Sequence, residues 1–231
     1  AAARLGLSHF VPGLTGHARV NQTFVMHPVV KKILRDQGKR GPVEVAPLPR
    51  MHLHHQRVRK LRGERMPKSN LLYVTGSFRW HNLEAEHEMQ VQDLRDITEF
   101  AAENTDWRVR VRIHPREDES WYQEQSWPEN VELTTVETSV PEDLAWASVL
   151  ATARSTMAVE AEIVGLPVLV YTRNFGKPSS QSIFAINSSF QLSNELETVK
   201  VLQEKGQSCT TAERSEEDQR VCQAILELYD A

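Results

Sequence analysis

Hydrophobic and polar positions change their period several times along this chain, most sharply between residues 148 and 171. Val149-Leu150-Ala151 is an apolar run too short for a helix, and a polar turn follows it, Ala153-Arg154-Ser155-Thr156. Val159 and Ile163 then stand four apart, a helical spacing, and Gly165 supplies a stop. Pro167 introduces Val168-Leu169-Val170-Tyr171, apolar throughout and rich in β-branched residues. A strand apolar on both faces belongs in a parallel sheet covered by helices. The segment therefore predicts a strand–turn–helix–strand unit.

The same reading extends outward. Leu71-Leu72-Tyr73-Val74-Thr75 predicts a strand closed by a tight turn at Gly76-Ser77. Leu83, His87, Val91, Leu94, Ile97 and Ala101, spaced by threes and fours, predict a long helix over 83–104. Residues 108–113 alternate arginine with apolar side chains and end in His114-Pro115. Arg108, Arg110 and Arg112 share a face and read as the solvated side of a strand near the sheet edge. Residues 116–130 read as helix and loop, 131–133 as a strand, and 141–146 as a short helix with Pro in its first turn.

Upstream, 1–22 read as loop, 29–37 as a helix and 43–45 as a strand. Residues 51–69, basic and poor in apolar anchors, suit a linker or an exposed helix. Downstream, 173–190 read as irregular, with amphipathic helices over 195–205 and 216–229. Strands alternating with helices imply an α/β fold. The expectation is a Rossmann-like parallel sheet with helices on both faces over 66–231, preceded by a short N-terminal segment and linker over 1–65.

Composition narrows the chemistry. A net charge of −4 offers no electrostatic footprint for nucleic acid. No apolar run approaches a membrane span and no signal peptide opens the chain, which predicts a cytoplasmic protein. The chain opens on Ala1, as a processed form or an excised domain would. Cys209 and Cys222 read as reduced thiols. His52, His54 and His55 have no Cys or acidic partner close in sequence, so no metal is expected, and no cofactor. The G-x-x-x-x-G-K-[ST], G-x-G-x-x-G and G-x-S-x-G motifs are all absent.

In a parallel α/β sheet, ligands bind outside the carboxyl ends of the strands. Four groups qualify: Gly76-Ser77, His114-Pro115, Ser155-Thr156 and Thr172-Arg173. Gly76 permits close backbone approach. His114 can donate a ring N–H to phosphate, and Pro115 turns the chain away after the strand. Ser155 or Thr156 stands where an N-cap belongs, and free N–H groups at a helix start attract phosphate. Glu160, one turn on, could accept from ribose hydroxyls. The plainer alternatives remain beside these: a turn glycine, a surface histidine, and a capped helix with a solvated glutamate. Trp107, Trp121, Trp127 and Trp146 read as packing residues.

Arg112-Ile113-His114-Pro115, with Ser155-Thr156 further on, resembles the paired His-Pro and Ser/Thr motifs of bacterial polysialyltransferases and capsule Kdo transferases. Glu160-Ala161 followed by Gly165-Leu166-Pro167-Val168 is similar to the signature of GT-B donor halves. Residues 29–50 resemble the hinge passage of CDP-glycerol glycerophosphotransferases. Residues 66–231 thus resemble the C-terminal, donor-binding half of GT-B glycosyltransferases.

The resemblance implies transfer of a sugar from a nucleotide-activated, cytidine-nucleotide donor to a polysaccharide or glycan acceptor, in capsule polysaccharide biosynthesis. It also implies that His114 and the Ser155/Thr156 helix start bind donor phosphate and that Glu160 binds the ribose. Gly76 and Ser77 line the same site, and His114 is the one candidate for a catalytic role. Transfer of a polyol phosphate from a CDP-alcohol, or nucleotide binding without catalysis, would suit the same fold. The acceptor-binding N-terminal half of those families is far longer than residues 1–65. That segment would be a remnant, completed by a missing domain or a partner chain.

Overall fold

The computed structural model of the protein describes residues 23–25, 28–36, 38, 41–45, 49–63, 67–171, 189–193 and 195–206. The expected helix over 216–229, both cysteines and the Thr172-Arg173 turn lie outside them. The described residues fall into two compact units, 23–54 and 55–171 with 189–206. None of their helices is long and apolar enough to cross a membrane.

In the first unit, β1 (Thr23–Val25) pairs in parallel with β2 (Val43–Val45), Thr23 opposite Val43. Between them, α1 (Pro28–Asp36) buries Val30, Ile33 and Leu34, at the spacing of one helical face. Pro28 opens that helix, where a missing N–H costs nothing. β2 and α1 match the sequence pattern. β1 is too short to show a period and is defined by its partner strand.

The division between the units falls within α2 (Pro49–Arg62). This is the stretch expected to be a linker or an exposed helix, and it is helical. Its last turns are not simply solvated: Val58 is buried. Arg62 donates from Nη2 to Leu144 O (2.6 Å) and from Nη1 to Val164 O (3.2 Å). Its guanidinium takes up carbonyls that two helix ends leave unpaired, and burial lowers its pKa to about 10.

The second unit is a six-stranded sheet of β3 (Asn70–Val74), β4 (Arg108–Arg112), β5 (Val131–Thr134), β6 (Val149–Thr152), β7 (Val168–Tyr171) and β8 (Phe190–Ser193). The spatial order is β5-β4-β3-β6-β7-β8, with every neighbouring pair parallel. The expected α/β fold is therefore present. Numbered from β3, the order reads 3-2-1-4-5-6, the doubly wound arrangement, with its reversal between β3 and β6.

Helices α3 (Glu84–Glu103), α4 (Glu119–Gln123), α5 (Val140–Trp146), α6 (Met157–Ile163) and α7 (Thr198–Gly206) cover the sheet. Leu94, Ile97 and Phe100 of α3 and Val199 and Leu202 of α7 pack over one face with Leu71, Tyr73, Val109, Val111, Val149, Ala151, Leu169 and Tyr171. The alternate residues point to the other face, where α5 meets β4 through side-chain ion pairs.

Two expectations need correction. The stretch over 173–190 read as irregular, yet Phe190 opens β8, which pairs with β7 from Val168↔Phe190 to Tyr171↔Ser193. Only Phe190 of its side chains is buried, so the strand leaves little pattern to read. β4 does lie near the sheet edge, beside the edge strand β5, but its arginine face is not simply solvated: Arg108 is exposed, whereas Arg110 is half-buried and Arg112 buried. Arg112 is 8% exposed and Asp143 of α5 is 0% exposed. Arg112 and Arg110 both donate to that carboxylate, Arg110 at 3.1 Å. A buried guanidinium requires such a partner.

Candidate functional site

The strand order reverses between β3 and β6, where the doubly wound fold places its ligand crevice, and the chain ties the carboxyl ends of the two strands together there. Thr152 Oγ1, fully buried, donates to Val74 O (2.8 Å) and accepts the Ser155 N–H (3.0 Å). One hydroxyl thus joins β6, β3 and the turn entering α6. Ser155 Oγ in turn accepts the Met157 N–H (3.3 Å). Ser155 is the capping side chain, and Thr156 is exposed with helical dihedrals. Glu160 is 5% exposed, which overturns its reading as a solvated glutamate.

Arg154 sits in the same turn, half-buried, its pKa lowered by burial against the opposing charge of Glu86. The sequence showed it only as a member of a polar turn. Topology places the residue in the turn at the switch point.

The loop after β4 approaches from the other side of β3. His114 donates its backbone N–H to Thr75 Oγ1 (2.8 Å), and its Nδ1 accepts the Arg116 N–H (3.1 Å). The imidazole thus has a structural partner within its own turn. A ring nitrogen that accepts carries no proton, so the neutral ring holds its proton on Nε2. The Glu117 N–H returns to His114 O (2.8 Å) and closes the turn.

Gly76 donates its N–H to Gln90 Oε1 (2.6 Å). A Cβ there would lie 2.7 Å from the Phe78 ring, so a close approach does require glycine, but Phe78 is what makes it. Ser77 follows, partly buried. Further along this loop Trp80 is 63% exposed, and the Arg116 guanidinium lies 5.8 Å from its ring.

The structure therefore brings Gly76-Ser77, His114 and Ser155-Thr156 to one rim, on adjacent strands β4, β3 and β6. Arg154, Arg116, Gln90, Tyr122 and Glu117 join them without a signal in sequence, because their grouping follows from strand order. The rim offers a ring N–H, guanidinium groups and the exposed Thr156, donors suited to an anion. The free N–H groups expected at the start of α6 are largely taken up within the chain, those of Ser155, Met157, Ala158 and Val159 by Thr152 Oγ1, Ser155 Oγ, Ser155 O and Thr156 O. Among the described residues, no group of three His, Cys, Asp or Glu is placed to hold a metal ion.

No family model matches the chain, and no curated protein does. Solved structures do. The wall teichoic acid polymerase TagF, soaked for 15 minutes with CDPG, aligns at a TM-score of 0.50 and 14% identity over 90% of this chain and 56% of that one. The 30-minute soak of TagF gives 0.48 and 14% over 90% and 57%. The calicheamicin glycosyltransferase CalG4 gives 0.49 and 20% over 91% and 49%. The 15-minute TagF likeness is one of fold. The chain spans just over half the length of these TagF structures.

Proposed function

We propose that residues 66–231 form the donor-binding half of a glycosyltransferase that uses a nucleotide-activated sugar with a cytidine base. One observation carries the reading: a doubly wound sheet places His114 and the Ser155 helix start at the carboxyl rim, the latter at the switch point. In this reading the departing phosphate receives the Nε2–H of His114, Thr156 at the start of α6 and the charge of Arg154. Such donors stabilise negative charge as it develops during displacement at the anomeric carbon. Glu160 holds the ribose, and Gly76 and Ser77 line the crevice. The acceptor is a glycan. Its site and the base that deprotonates it belong to an N-terminal half or a partner chain, and the setting is cytoplasmic capsule polysaccharide biosynthesis.

A second reading keeps the site and changes the chemistry to transfer of a polyol phosphate from a CDP-alcohol. The fold likeness to TagF, a polymerase soaked with CDPG, favours it. A thermal-shift comparison of CMP, CDP, UDP and GDP tests the binding common to both. Cytidine nucleotides should raise the melting temperature most, and a protein shifted by none of the four defeats both readings. Analysis of the transferred group, sugar or polyol phosphate, separates them.

A further inference from the structure

Beneath the loops that carry Gly76 and His114 runs a buried hydrogen-bond network with a single direction. The Gly76 N–H donates to Gln90 Oε1 (2.6 Å), and Gln90 Nε2 donates to the Tyr122 hydroxyl (3.2 Å). In parallel, the His114 N–H donates to Thr75 Oγ1 (2.8 Å), and the Thr75 hydroxyl bonds that of Tyr122. Tyr122 donates onward to Glu117 Oε2 (3.4 Å). Thr75, Gln90 and Tyr122 are each at most 1% exposed, so water does not substitute. The Glu117 carboxylate also receives the Arg79 N–H, and its Oε1 is buried with no hydrogen-bond partner among the described residues.

We propose that Glu117, as a carboxylate, is the positioning residue that orients every donor in this network and so holds both rim loops in register. A carboxylate only accepts, so Tyr122 must donate to it and can only accept from Gln90 and Thr75. Those two then present Oε1 to Gly76 and an oxygen lone pair to His114. A protonated Glu117 donates to Tyr122 instead. The Tyr122 proton then turns on Gln90, whose amide must reverse and take Oε1 from Gly76, or on Thr75, whose own proton must swing away from Tyr122 and disturb the oxygen that holds His114. Unmade buried hydrogen bonds are costly, so that loop shifts.

Burial holds the Glu117 carboxyl above the ordinary carboxylate range, which brings the switch toward working pH. The groups facing it are Arg79 from the loop after β3 and Tyr122 from α4. Around these stand His87 of α3, which feels Arg79, Glu84 and Glu88, and the buried Tyr73–Asp93 pair.

The inference rests on the nucleotide-binding reading for its consequence, although its core can be measured without ligand. Amide resonances of Gly76 and His114 are followed by NMR from acid to neutral pH in wild type, Glu117→Gln and Tyr122→Phe. In wild type both should move together, with one midpoint above the usual carboxylate range. Glu117→Gln should abolish that transition and Tyr122→Phe should uncouple the two amides. CMP affinity should fall about tenfold, one hydrogen bond's worth, as pH drops through the same midpoint. Amides that do not move, or that titrate unchanged in Glu117→Gln, overturn the proposal. Amides that track Glu117 in a protein that binds no CMP at any pH support the proposal and defeat the nucleotide reading.

Discussion

Strands β4 and β6 flank β3, one on each side of the switch point, and they are buried by opposite means. β6 is Val149-Leu150-Ala151-Thr152, every residue at 0% exposure, with one hydroxyl satisfied at its end. β4 sends Val109 and Val111 to one face and Arg110 and Arg112 to the other. The arginines are neutralised in place. Arg112 bonds Asp143 and, at 2.7 Å, Thr138 O. Arg110 reaches Asp143 and Glu132 and lies 4.2 Å from the Trp146 ring. Apolar burial tolerates any neighbour of suitable volume, whereas a buried guanidinium demands one particular partner. β4 therefore specifies where α5 sits, and β6 only requires that something cover it.

The sharpest way to break the comparison is to remove that partner. Asp143→Ala leaves two guanidiniums in the interior and should cost about 3–5 kcal/mol in chemical denaturation. A loss under about 1 kcal/mol would mean the pairs behave like surface ones. Leu150→Ala on β6 should cost roughly 2–5 kcal/mol as a cavity. Neither penalty should depend strongly on salt, because a buried pair is screened far less than a surface one.

At the rim the expected effects turn from stability to binding. His114→Ala should weaken cytidine-nucleotide binding by about 1.5–3 kcal/mol, the range for a hydrogen bond to a charged group. Calorimetry measures this, and the melting temperature should change little because the side chain is partly exposed. If the variant unfolds instead, His114 serves the fold through its Arg116 contact.

The smallest effect concerns pH on the β4 side. Burial first, then the charge of Arg79, lowers the pKa of His87. A histidine depressed in the folded state contributes stability above its ordinary value, and this is lost as pH falls through the folded value. Glu117 runs the other way. Raised by burial, its contribution is present in acid and lost as pH rises through its folded value. Melting temperatures between about pH 5 and 8 should therefore fall less on acidification in His87→Phe than in wild type. Equal slopes would show that His87 takes up its proton alike in the folded and unfolded states, so that burial does not depress it.

By itself, the sequence determined what depends on local period. The apolar runs of β3, β6 and β7, the threefold and fourfold spacing along α3, and the turns at Gly76, His114 and Ser155 all stand where pattern placed them. The parallel arrangement followed as well, since strands apolar on both faces need helices on both sides. Period reports which side chains share a face, and it is silent on what covers that face. The burial of Arg110 and Arg112 was decided by Asp143, more than thirty residues away and on a different element. Glu160 reads as polar in any window and is enclosed only once α6 packs. β8 exists because β7 offers it an edge. The network from Gly76 and His114 to Glu117 draws on β3, α3, the β4 loop and α4, whose residues meet only when the sheet has its order. Strand order is a property of how the chain crosses over itself, and no local spacing encodes it.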